Sequence, residues 1–528
     1  MVYSTSSSGH FDPWDGTEYF LITESMALKH SAKVYPDLPT LKMLSTHSSP
    51  VKPNLPNPCF TCEAILKPTY LLRPLLGPGI AVPFYYAALI FSVSPITVVA
   101  LFANSFVISL TCVLLFCFSL ELYKSKRIAF VLTLIFGVCS FIWPYNSSLM
   151  SEPTTTLCIF ASAYFIYMLT KQDDIQNIML SNNVGLTSGT ATTSVTSKNN
   201  KNKRIYFAAL GGLFLGLSLI SHPSDIVIIP GFLAYFIFSI RRSNDRKILL
   251  LLFLIVLGGV LLLAASTNYI RFGSVTRFGY GDAETLSIHR GWHGLIGLLV
   301  SPGKGLVFYF PIAILLPLGL RYIYAKNKGV FFICIYTFVA FWLFFGTSLY
   351  PNTKLAESET WSGGWWGPRY LVPVLPFITL LCGTLLERSK GKKRYLKLSG
   401  VIILGVIGFL VNLIGILVWW EYANVYGNEG LGQDPYAVKT WSPYNSFIVK
   451  HIGVLMSNYV SQVQPVKFSA WSYTLAPCPY DNYLYCKFGI LPILSLSVVI
   501  GIVAMILLMK IGNFKCVQSI ILKSLRIK

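Results

Sequence analysis

The sequence predicts an all-α polytopic membrane protein with about eleven transmembrane helices, whose extracytoplasmic loops form the face where chemistry would take place. Three observations carry this. Of the 528 residues, 54% are hydrophobic and only 12% charged, about half the roughly 25% charged share of a soluble domain; the mean hydropathy is +0.60. The apolar residues fall in runs close to the length of about 20 that a bilayer-crossing helix needs. Loops bearing Lys and Arg alternate with loops rich in Trp, Tyr, Pro and Gly. Such a chain is not disordered, a coiled coil, collagen-like or an ordinary cytosolic enzyme.

Taken in order, the spans are expected at 97–122, 128–146, 153–170, 206–221, 225–240, 248–267, 306–323, 329–349, 370–387, 399–419 and 488–509. Residues 77–95 are apolar but hold Pro78 and Pro83, and read as an interfacial or re-entrant helix. Lys124, Lys126, Arg127, Arg241, Arg242, Arg246, Lys247, Lys326, Lys328, the run from Arg388 to Lys397 and the tail from Lys510 to Lys528 then all fall on one side. That side is the cytoplasm by the positive-inside rule. The other side receives residues 1–76, the helix ends near Trp143–Pro153 and His222, and segments 268–305, 350–368 and 421–487.

Four regions follow: an outer N-terminal segment 1–76 with an acidic motif, a membrane core 77–420, an outer aromatic-rich segment 421–487, and a last span with a basic tail, 488–528. Within the core, residues 171–205 are rich in Ser, Thr and Asn and read as a disordered cytoplasmic loop. An outside N-terminus is expected, yet residues 1–30 show no signal-peptide pattern. Either a preceding transmembrane helix is missing because the start was assigned late, the preferred reading, or the following span translocates the N-terminus.

The net charge of +21 would suggest nucleic acid in a soluble protein. Here topology accounts for it, and no nucleic-acid motif stands against that. Of 11 cysteines, Cys112, Cys117, Cys139 and Cys158 lie in spans as small apolar side chains. Cys59, Cys62, Cys478 and Cys486 lie outside, where Cys478–Cys486 is the expected disulfide; the alternative, a zinc site, lacks the knuckle spacing.

Four polar clusters gather on the outer side. Asp12, Asp15 and Glu18 sit on a turn entering a helix, with Asp15 and Glu18 on one face; a capping box is the plain alternative. Glu152 follows Ser151 at a helix mouth, where a carboxylate needs a partner or a polar cavity, or simply meets the positive end of the helix dipole. The segment 268–305 carries Arg271, His289, Arg290, His293 and Lys304 among glycines, a set suited to phosphate or, singly, to lipid headgroups. Gly303-Lys304-Gly305 lacks the spacing of a nucleotide-binding P-loop. Arg369 closes the run Trp361–Tyr370 where a span begins; it would pair with an anion or snorkel to the headgroups.

The order of these motifs is what carries a family resemblance. Asp12–Glu18, Trp143–Tyr145 with Ser151-Glu152-Pro153, Asn268–Tyr280, Ser301–Gly305 and Trp361–Tyr370 together resemble GT-C-type membrane glycosyltransferases of the protein O-mannosyltransferase and aminoarabinose-transferase kind, over roughly residues 12–420. The resemblance implies transfer of a sugar from a polyprenyl-phosphate carrier to an extracytoplasmic acceptor (protein, lipid or glycan), with inversion. It implies Asp15 as general base with Glu18 and Asp12 beside it. Arg369, Lys304, Arg290 and His289 are the cations available to the donor phosphate, and Glu152 is a further candidate. No cofactor is required with certainty; a divalent metal, Mg or Mn, bridging Asp15 and the phosphate stays open. Expected partners are the lipid-linked donor and membrane lipid, not nucleic acid. The chain departs from the pattern in lacking the first transmembrane helix. The rival classes are a transporter or lipid flippase, which would place charges along a midplane path, and a scaffold, which would need no clustered acid and base.

Overall fold

The computed structural model describes residues 2–8, 11, 15–46, 67–183, 190–275, 285–286, 291–349, 361–387, 392–420, 428, 431 and 435–457. These residues are almost entirely helical. Extended pairing among them is confined to a two-residue ladder, Thr285–Leu286 against Ser348–Leu349, and a bridge between Val34 and Thr69. Among the described residues, eight helices are long and apolar enough to cross a membrane: Pro95–Tyr123, Glu152–Lys171, Asn202–Ser221, Pro223–Ile240, Arg246–Phe272, Lys328–Thr347, Arg369–Glu387 and Leu396–Leu417. The chain is a multi-pass integral membrane protein.

Three expected spans are not among those eight, for different reasons. The expected 128–146 span stops early: its helix is Lys126–Cys139, Ser140 is extended, and a 3-10 turn Trp143–Ser147 with Pro144 near its start follows. The expected 306–323 span breaks into Leu306–Tyr309, a 3-10 turn Pro311–Leu315 and the helix Leu316–Lys326, because Pro311 and Pro317 supply no N–H to the ladder. The third, 488–509, lies outside the described residues, as do Cys59, Cys62, Cys478 and Cys486.

Of the Ser/Thr/Asn-rich loop expected over 171–205, residues 171–183 and 190–205 are helical, and 184–189 lie outside the described residues. The helices on either side run into it, as Glu152–Asn183 and Thr190–Ser221. Polar residues weaken a helix, but without proline they do not end one already propagating from an anchored apolar stretch. The 77–95 segment forms the helix Leu76–Ile90, which carries Pro83 inside it. At 1.5 Å per residue it is about 22 Å long, short of the roughly 30 Å hydrocarbon core.

The spans differ in how they are buried. In Glu152–Lys171 and Arg369–Glu387, 83% of the apolar window is buried, against 17% in Arg246–Phe272 and 28% in Leu396–Leu417. The first two are the centre of the bundle and the last two lie at its periphery among the described residues. Small residues let the helices close up. Gly212 and Gly216 set Thr190–Ser221 against Arg246–Phe272 so tightly that a Cβ would lie 2.6 Å from the Phe253 carbonyl oxygen and 2.6 Å from Val260 Cβ, respectively. The N-terminal residues thread into the bundle as well. Tyr3 donates its hydroxyl to the Gly137 carbonyl at 3.0 Å, and Trp143 Nε1 donates to Ser6 Oγ at 3.0 Å.

The paired charges separate to the two ends of the bundle. At one, Glu121 pairs with Lys124 and Lys171, Lys326 pairs with Glu387, and Lys326 also lies over the Tyr123 ring. These are helix ends that the charge pattern assigns to the cytoplasm. The helix ends assigned outside meet at the opposite side, around Asp15.

Candidate active site

Asp15 is the first residue of the helix Asp15–Lys29, so it and Glu18 share the first turn. The segment leading into Leu76–Ile90 brings Arg73 to that turn. Its Nη2 lies 2.6 Å from Asp15 Oδ1, and its Nε lies 2.6 Å from Glu18 Oε2. From the far side comes Arg369, with Nη2 2.7 Å from Asp15 Oδ2. Arg369 Nε donates to Glu152 Oε1. Each oxygen of Asp15 is thus taken by a different guanidinium, and each guanidinium by two carboxylates.

Exposure grades across this network. The Arg73 and Asp15 side chains keep 19% and 16% of their surface, while Glu152 keeps 3%. The network therefore opens on the Arg73–Asp15 side and closes inward at Glu152. Glu152 Oε2 is buried with no hydrogen-bond partner among the described residues. Burial alone would raise the Asp15 carboxyl, but the charges of Arg73 and Arg369 outweigh it and hold the pKa down at about 2. His222, buried at the neighbouring helix end and hydrogen-bonded through Nδ1 to Ser224 Oγ at 2.8 Å, is pushed down to about 4, chiefly by desolvation. At neutral pH it is an uncharged imidazole beside the ion pairs. Asp225 is fully buried at the mouth of the Pro223–Ile240 span rather than midway along it.

Arg73 also lines a partly open groove. Its walls are mostly apolar and include Leu219, Ile220, Ile226 and Leu261, with Arg271 at the polar end. Arg271 Nη2 donates to the Leu71 and Arg73 carbonyls at 2.6 and 2.7 Å, fixing the backbone that presents Arg73. Arg271 Nε is buried without a hydrogen-bond partner among the described residues.

Lys304 is fully buried in a different setting. Its ammonium donates to the carbonyls of Gly363, at 3.1 Å, and Trp365, and lies 4.2 Å from the Trp420 ring centroid. Of the residues predicted from sequence, the structure therefore joins Asp15, Glu18, Glu152 and Arg369 and sets Lys304 against a backbone turn. Asp12, His289 and Arg290 lie outside the described residues.

Sequence reasoning did not single out Arg73. The signal was a lone cation in LLRPLLGPG, beside an apolar stretch on the outer side, where an unpaired charge is costly. Asp15, Glu18 and Glu152 supply the oxygens that would suit Mg or Mn, although no group of three or more His, Cys, Asp or Glu residues is arranged for a metal ion among the described residues.

No protein-family model matches the chain, and no curated protein matches it. Among solved structures it is similar to ArnT from Cupriavidus metallidurans bound to undecaprenyl phosphate, at 14% identity over 90% of this chain and 72% of that one, with a TM-score of 0.46. The apo state of the same protein gives 15% identity over 88% and 78%, with the same TM-score. The apo Archaeoglobus fulgidus oligosaccharyltransferase gives 10% identity over 81% and 55%, with a TM-score of 0.43.

Proposed function

We propose that the protein is a membrane glycosyltransferase that moves a sugar from a polyprenyl-phosphate carrier to an acceptor hydroxyl on the extracytoplasmic side, with inversion. One observation supports this most directly: a carboxylate clasped between two arginines, one of which also lines an apolar groove. The groove would seat the proximal part of a lipid tail, and Arg73, Arg271 and Arg369 would receive the phosphate. The motif order set out above fits the same chemistry.

The ion pairs give the reaction a sequence of events. At rest, Arg73 and Arg369 are neutralised by Asp15, Glu18 and Glu152. A phosphate entering from the groove competes for the guanidinium forks, which suit its oxygens in bidentate fashion. As they turn, Asp15 loses the charges that hold its pKa down and regains ordinary carboxylate basicity. It then takes the proton from the acceptor hydroxyl while that oxygen bonds to the anomeric carbon. The bond from that carbon to the phosphate oxygen breaks, and its electron pair leaves with the phosphate. The arginines offset the charge that grows there.

The test is Asp15→Asn in membranes supplied with a polyprenyl-phosphate sugar. The expected result is a protein that inserts normally and transfers sugar about 10²–10⁴-fold more slowly, the usual contribution of a general base. Undiminished transfer would move the base elsewhere. Absence of transfer by the unaltered protein with every polyprenyl-phosphate sugar offered, together with altered solute uptake in cells lacking it, would favour transport instead.

A further inference from the structure

We propose that Lys304 is a positioning residue: it sets Arg369 by gripping the turn Gly363–Trp365, and so transmits the placement of the outer segment Pro435–Trp441 to the Asp15 cluster. This rests on reading Arg369 as the donor-phosphate cation, but the contacts themselves are independent of any substrate. The Ser301–Gly305 turn that carries Lys304 is held from outside. Gly303 N donates to the Thr440 carbonyl at 3.0 Å, and a Cβ at 303 would lie 2.2 Å from the Lys439 carbonyl oxygen. Only glycine lets the two backbones meet there. From within, Tyr309 donates its hydroxyl to the Gly303 carbonyl at 2.6 Å.

Lys304 then reaches across. Its ammonium bonds the Gly363 and Trp365 carbonyls and rests against the Trp420 and Phe447 rings, at 4.2 and 4.9 Å. The turn it grips is one that would not hold itself. Gly363 and Gly367 have φ of +66° and +72°, and Trp365, which has a side chain, has φ of +105°. Such backbone persists when its surroundings over-determine it. Gly363 in turn backs directly onto the arginine: a Cβ there would lie 3.1 Å from Arg369 Cδ and 3.2 Å from Arg369 Cβ. The path is therefore short and made of direct contacts, from Thr440 to Gly303, Lys304, Gly363, Arg369 and Asp15. A buried ammonium bound to carbonyls orients backbone; its charge is already engaged by those dipoles and rings.

The experiment reads Asp15 itself, without any donor. Purified full-length protein at pH 5 is treated with a water-soluble carbodiimide and an amine, which tag protonated carboxyl groups, and the tag is located by mass spectrometry. In Lys304→Met, Arg369 drifts from Asp15, and labelling of Asp15 rises about tenfold for each unit of pKa regained, while Glu121 at the opposite end stays as in the unaltered protein. Gly363→Ala, which changes no charge, gives the same selective rise by displacing Arg369 directly. Unchanged Asp15 labelling in Lys304→Met overturns the proposal. So does a rise at Asp15 and Glu121 together, which would mean a loosened fold, or a rise in Lys304→Met without one in Gly363→Ala, which would mean direct loss of charge. If Lys304→Met does not fold, Lys304→Arg, which keeps the charge but cannot seat an ammonium between the same two carbonyls, takes its place, with a selective rise at Asp15 expected and unchanged labelling overturning the proposal. Failure of sugar transfer by the unaltered protein would remove the proposed function and leave this result standing.

Discussion

A carboxylate held at about 2 by two guanidiniums accepts protons poorly, so the resting state of Asp15 is an anchor, and the proposed reaction requires its basicity to be released by whatever draws the arginines away. Arg369 matters here for its shape as much as its charge, since one fork serves Asp15 and Glu152 at once. Arg369→Lys keeps the charge and loses the fork. The expected fall in kcat/KM for the lipid-linked donor is about 10–100-fold, the worth of one charge-assisted hydrogen bond, measured in proteoliposomes; an unchanged value would remove Arg369 from the donor site. A second carboxyl, Glu24, is buried and accepts from Thr40 N, Thr40 Oγ1 and Tyr85 OH, yet burial lifts its pKa from 4.5 to about 7. With the folded value above the unfolded one, its contribution is greatest below pH 4.5 and is lost as pH rises through 7. Glu24→Gln is accordingly expected to raise the melting temperature at pH 8 and barely change it at pH 4, with a gain of up to about 3 kcal/mol at the higher pH. The residues legible in sequence were those whose charge is costly at a helix mouth: Asp15, Glu18, Glu152 and Arg369. The setting of Lys304 was not legible, because its partners are backbone carbonyls and carry no side-chain signature.

Among the elements, the two most buried spans, Glu152–Lys171 and Arg369–Glu387, each begin with a charged residue of the cluster. The site is thereby mounted on the part of the bundle least free to move. The groove, by contrast, is walled by helices that meet through small residues. Leu219 and Ile220 come from Thr190–Ser221, and Leu261 and Ala264 from Arg246–Phe272. Gly212→Leu would place a branched side chain where even a Cβ meets the Phe253 carbonyl oxygen at 2.6 Å. A loss of about 1–3 kcal/mol is expected for such overpacking, seen as a lower melting temperature in detergent, while Gly258→Leu on a face with nothing within 4 Å is expected to be neutral; equal effects would refute the packing argument. Apolar run length and loop charge made most spans legible before any coordinates. They failed at 128–146, where a helix ends before Ser140, and at 306–323, where Pro311 and Pro317 each start a new turn inside a run whose hydropathy alone looks continuous. Polar composition also reads as loop over 171–205, where residues 171–183 and 190–205 are helical.

At the scale of the whole molecule, the bundle has two ends that differ in their charges, one where Glu121 and Glu387 pair with lysines and one where two arginines share the carboxylates around Asp15. Single cysteines test their orientation. A membrane-impermeant maleimide is expected to label His30→Cys in intact cells, and Lys397→Cys only after permeabilisation; the reverse pattern would invert the topology. The groove lined by Arg73 and Arg271 has a further consequence. If its occupant is a lipid, the quantity that governs turnover is the number of carrier molecules per unit of bilayer area, not the molar concentration in the tube. Diluting the membrane with inert phospholipid at constant total carrier would then slow the protein, whereas diluting the aqueous buffer would leave it untouched.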